Sequence, residues 1–94
     1  PVAVRIIQSN RFEKAAKRLH PNQRRHLDEA VRDITRNPMV GQAKAGDLAG
    51  VRVHKFRMVS QLTLVAYVYD AHADCLKLVD FGAHENFYRD LKAQ

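Results

Sequence analysis

Apolar positions change their period along this chain, from alternation to helical spacing and back, and the switches mark out its elements. "VAVRIIQ" (2–8) is β-branched, sets Val2, Val4 and Ile6 on one face, and predicts a strand. In "SNRFEKAAKRL" the period turns helical: Phe12, Ala15, Ala16 and Leu19 fall at i, i+3, i+4 and i+7, behind Ser9 or Asn10 as N-cap. "HPN" (20–22) ends that helix and starts another, because Pro is tolerated in a first turn but not in a helix interior. The second helix carries Leu27, Ala30, Val31 and Ile34 as its stripe, with Arg24, Arg25, Arg32 and Arg36 outside it. "NP" (37–38) stops it near Arg36, since the residue before Pro is pushed out of the helical region.

"MVGQAKAGDLAG" (39–50) is small and glycine-punctuated, which predicts a loop. Three strand-like runs follow, "VRVHKFRMV" (51–59), "QLTLVAYVY" (61–69) and "CLKLVDF" (75–81), joined by a tight turn at Ser60 and by "DAHAD". Short links between consecutive strands predict an antiparallel meander, and "HENFYRDL" (84–91) predicts a last short helix. The expected fold class is therefore α+β: a small antiparallel sheet with an N-terminal helical hairpin on one face, in the order β-α-α-β-β-β plus a short C-terminal helix.

Alternation along 51–59 separates Arg52, His54, Phe56 and Met58 from Val51, Val53, Lys55 and Arg57. Phe56 and Met58 are the expected core pair under the helices. That directs Lys55 and Arg57 together onto the opposite face, which the hairpin leaves open.

At 94 residues one domain is expected, spanning 1–94. The single Cys75 makes no internal disulfide, and no apolar stretch has the length of a membrane span, so a reducing, cytoplasmic setting is expected. His72 and Cys75 lack the second ligand pair a zinc site needs, and no Gly-rich phosphate loop or nucleophile elbow is present, so neither metal nor cofactor is expected. The formal charge is +6 with a pI near 9.9, which suits a polyanionic partner. Residues 1–37 hold nine Lys and Arg against four Asp and Glu, and residues 38–94 seven against six, so the excess of five sits in front. A solvated helix face would account for it equally well.

"DLAGVRVHKFR", "LVAYVY" and "GAHENFYRDLK" resemble the RelE/ParE superfamily of toxins from bacterial type II toxin–antitoxin operons. The order of elements fits that resemblance across nearly the whole chain. RelE-like members are ribosome-dependent mRNA endonucleases, whereas ParE-like members inhibit DNA gyrase, and both activities stay open at this point. The resemblance places the two basic residues of a RelE-type nuclease strand at Lys55 and Arg57, the basic residue after the last strand at His84, and an aromatic near the RNA at Tyr88. Where the best-studied members carry an arginine shortly before "LVY", this chain has Leu64.

Metal-independent RNA cleavage through the 2′-OH needs proton transfer and fixed cations facing the phosphorane. Lys55 and Arg57 would supply the cations, His84 the general acid or base, and Tyr88 a stacking ring or a proton. Each has a plainer alternative: a solvated strand face for the two cations, a helix cap for His84, and core for Tyr88 beside Phe87 and Leu91. The resemblance further implies a cognate antitoxin as partner, the ribosome and mRNA or else gyrase as target, no membrane, and operator DNA bound only through the antitoxin.

Overall fold

The computed structural model describes residues 4–83 and 87–92. Its elements run β1 (Arg5–Gln8), α1 (Asn10–Lys17), α2 (Pro21–Arg36), β2 (Gln42–Ala43), β3 (Arg52–Met58), β4 (Gln61–Asp70), β5 (Cys75–Ala83) and α3 (Phe87–Lys92). One sheet of five strands is ordered β1-β5-β4-β3-β2. The meander β3-β4-β5 is antiparallel, in line with the sequence, but β1 joins β5 in parallel, pairing Arg5 with Cys75 and Gln8 with Leu78. The sheet is therefore mixed. The region expected to be all loop also contributes β2, paired with Arg52 and Val53, and a 3-10 turn over Gly46–Leu48.

Local chemistry sets the helix ends. Ser9 is the N-cap of α1: its Oγ accepts from Phe12 N–H at 3.0 Å and donates to the Val79 carbonyl at 2.6 Å. One hydroxyl thus caps the helix and ties its start to β5, a link across seventy residues. At α2, His20 is the N-cap, Pro21 opens the first turn, and the Gln23 side chain accepts from His20 N–H at 2.9 Å. Asn37 leaves the helix with φ −145° ahead of Pro38.

The β3–β4 hairpin turns on Val59 and Ser60. Val59 has φ +60°, a conformation a β-branched residue adopts at a cost, and its N–H donates to His26 Nδ1 on α2. The hairpin tip is therefore held against the helix hairpin.

Each face of the sheet carries a core. Under α1 and α2 lie Phe12, Ala16, Leu27, Ile34, Met58, Val65, Tyr67, Leu76 and Leu78, with Phe56 packed at the margin. The opposite face holds Val53, Leu64, Ala66, Phe87 and Leu91. The short helix α3 builds this second core, so the face left open by the hairpin is partly covered. β4 runs between the two cores, which is why Thr63–Tyr67 are all buried.

Tyr67 anchors the segment after α2. Its hydroxyl donates to the Pro38 carbonyl at 2.7 Å and accepts from Gly41 N–H at 2.9 Å, and Arg52 donates to the carbonyls of Gly41 (2.7 Å) and Met39 (3.3 Å). Gly41 is required there, because a Cβ would sit 2.6 Å from the Tyr67 hydroxyl.

Candidate functional site

β3 places the candidate cations. Strand alternation sends Val53, Lys55 and Arg57 to the α3 side of the sheet, and of these only Val53 is buried. Lys55 and Arg57 are exposed, with Cα atoms about 6.8 Å apart by strand geometry. Arg57 donates to the Ser60 carbonyl at 3.3 Å across its own hairpin. Among the described residues, neither side chain pairs with a carboxylate. β2 ends opposite Arg52 and Val53, so from His54 onward no described strand pairs with β3 on that side, and the two cations border an open edge. A shallow cleft of about 330 Å³ lies along that edge, lined by Val40, Gln42, Val53, His54 and Lys55.

The cross-strand register defines their surroundings. Lys55 faces Leu64, Arg57 faces Leu62, and Leu64 in turn faces Gly82 of β5. Leu64 is fully buried against α3, so the position at which the family resemblance looks for an arginine is core in this chain. Gly82 lies beneath α3, where a Cβ would touch the Phe87 ring at 3.4 Å, an ordinary packing distance.

Tyr88 sits on α3 on this same side of the sheet. It is half-buried, packed edge-to-face on Phe87 at 5.6 Å between centroids, and the Lys44 ammonium lies 5.0 Å from its ring centroid. Phe87 and Leu91 are core, as the plainer reading of this segment expected; Tyr88 stands at the rim. Sequence spacing gave no hint of Lys44, because the two meet only when the segment around β2 folds onto α3. His84 lies outside the described residues. The structure thus puts Lys55, Arg57 and Tyr88 on one side of the sheet.

His54, on the neighbouring position of β3, faces α2. Burial lowers its pKa from the ordinary 6.5, partly offset by Asp33. Among the described residues, no group of three or more His, Cys, Asp or Glu is placed to hold a metal ion. None of the described helices is long and apolar enough to cross a membrane.

A mixed five-stranded sheet carrying a helical hairpin on one face and a short C-terminal helix on the other defines a RelE-like α+β protein. A family model, the ParE-like toxin of type II bacterial toxin-antitoxin systems, matches residues 6–92, and the chain belongs to this family. The fold is shared with the isolated RelE toxin of Escherichia coli (TM-score 0.71, 16% identity, 97% of this chain and 98% of that one). It is similar also to the RelBE2 toxin–antitoxin complex of Mycobacterium tuberculosis (TM-score 0.74, 16% identity, 88% and 100%). A YoeB/ParE toxin from Agrobacterium tumefaciens matches as well (TM-score 0.70, 15% identity, 85% and 98%). No curated protein sequence matches the chain.

Proposed function

We propose that this toxin is a ribosome-dependent mRNA endonuclease of the RelE type. The observation that carries the reading is the pair Lys55 and Arg57: two exposed cations on one strand face, at an open sheet edge, with no carboxylate partner among the described residues. Fixed positive charge of this kind offsets the charge that develops on a phosphorane, and the forked guanidinium of Arg57 suits phosphate oxygens. His84 is assigned the proton transfer, as the group whose ordinary pKa lies nearest neutrality. Tyr88 contributes a ring beside the RNA. A base stacking on its Lys44 side would displace that ammonium, so Lys44→Ala is expected to alter RNA binding at Tyr88 without touching the cations of β3.

The partner is a cognate antitoxin, through which operator DNA is bound, and the site of action is the cytoplasm. The single domain expected from chain length accommodates all of these roles. Incubating the purified toxin with mRNA-programmed ribosomes and mapping the new 5′ ends tests the proposal. Cuts within the ribosome-bound message, lost in His84→Ala, support it; intact message sinks it.

One observation favours a second reading. Leu64, buried beneath α3, removes a cation from the site, and a protein that poisons gyrase by binding has no need of it. Inhibition of gyrase supercoiling by His84→Ala as fully as by the parent protein would establish that alternative.

A further inference from the structure

A second basic cleft lies at the C-terminal end of β5, two strands across the sheet from Lys55, which faces Leu64 as Leu64 faces Gly82. A cleft of about 390 Å³ opens between α1 and the C-terminal end of β5, lined by Arg11, Lys14, Arg18, Asp80, Phe81 and Phe87. Arg11, Lys14 and Arg18 stand at i, i+3 and i+7, so α1 presents them as one stripe, and that stripe faces the cleft. Among the described residues of its lining, three cations therefore meet a single carboxylate in a concavity.

That carboxylate is committed. Asp80 is only 5% exposed; its Oδ1 accepts from Phe81 N–H at 2.8 Å and its Oδ2 from Arg11 Nε at 3.2 Å. Holding Arg11 through Nε fixes the plane of its guanidinium, which is half-exposed, and leaves the terminal N–H groups for another acceptor. Among the described residues, Lys14 and Arg18 have no acidic partner. The floor is apolar: Phe81 is partly exposed and is steadied by an edge-to-face contact with Phe12 at 5.1 Å.

A ring at the base of a cationic rim fits one nucleotide, its phosphate between the fork of Arg11 and the charges of Lys14 and Arg18, its base against Phe81. The size agrees, since pockets for small ligands begin at about 300 Å³. An amphipathic peptide helix would need a longer groove with several anchor positions. We propose that this cleft is a second RNA subsite, which binds one nucleotide of a single-stranded segment apart from the position to be cut. This rests on RNA being the target of the toxin.

Fluorescence anisotropy with a short labelled single-stranded oligoribonucleotide, repeated across a salt series, tests it. The variants are Lys14→Ala with Arg18→Ala, and, as an equal removal of charge elsewhere, Arg25→Ala with Arg32→Ala on α2. All four residues are exposed, so thermal unfolding should be unchanged in both proteins. The α1 pair is expected to weaken binding about tenfold and to flatten the slope of log K against log salt by about 0.7 for each phosphate no longer neutralised. The α2 pair is expected to stay within twofold of the parent.

Equally weakened binding in the two proteins would overturn the subsite, because attraction would then be diffuse. So would a polyglutamate peptide that binds through Lys14 and Arg18 while the RNA does not, which would assign the cleft to an acidic protein segment. The ribosome assay separates the two proposals. RNA binding that depends on Lys14 and Arg18, in a toxin that leaves message intact, supports the cleft and overturns the nuclease reading alone. Message cleavage by an α1 variant whose RNA affinity is undiminished does the reverse.

Discussion

Lys55 and Leu64 face each other across the β3–β4 ladder, on the same side of the sheet, yet Lys55 is exposed and Leu64 is wholly buried. The boundary between them is the edge of α3, whose Phe87 and Leu91 close over Leu64. A cation at position 64 would have to lift that helix.

Leu64→Arg is therefore expected to be costly and not to restore a better site. Burying an unpaired guanidinium against Phe87 and Leu91 should destabilise the protein by about 3 kcal/mol or more. For a chain of this size that lowers the melting midpoint by more than about 10 °C. Circular dichroism melts check it; a midpoint within a few degrees of the parent's would show that α3 yields readily.

The same relationship explains which features are legible in the sequence and which are not. Strand alternation in "VRVHKFRMV" assigned Phe56 and Met58 to the helix side and Lys55 and Arg57 to the other, and the structure agrees. Helix limits were legible because Ser9, Pro21 and Asn37-Pro38 act within a few residues of themselves. Burial of Phe87 and Leu91 was one reading open in the sequence, but that they build a second core over Val53, Leu64 and Ala66 was not legible, since α3 spans only six residues and shows too little periodicity to declare where it packs. The parallel pairing of β1 with β5, the Arg11–Asp80 pair and Lys44 over Tyr88 all join distant segments, and no local pattern encodes them.

Tyr67→Phe is expected to loosen the segment after α2. The buried Gly41 N–H loses its acceptor and the Pro38 carbonyl its donor, a cost of about 1–3 kcal/mol. The urea midpoint should fall with no change in m-value. An unchanged midpoint would mean that the phenol contributes nothing to holding Pro38 to Gly41.

His54 gives the fold a pH dependence of defined sign. Its folded pKa lies below the ordinary 6.5, with burial as the cause and Asp33 in partial opposition. The unfolded chain then binds more protons in this range, so stability should rise with pH through the window and decline as pH falls below about 6.5 toward the folded value. The comparison is with His54→Gln. Denaturant titrations between pH 7.5 and 5.5 should show a shallower decline in the variant; parallel curves would exclude His54 as the source.

The proposed chemistry depends on two surface cations, and the most direct measurement is the rate of message cleavage on programmed ribosomes by the parent toxin and by Lys55→Ala with Arg57→Ala. Both residues are exposed, so the melting midpoint should not move by more than the equivalent of about 0.5 kcal/mol. Cleavage should fall by about a hundredfold or more, the scale seen when groups that stabilise developing charge are removed. A variant that cuts at the parent's rate, or a parent toxin that leaves the message intact while halting gyrase supercoiling, would contradict the account.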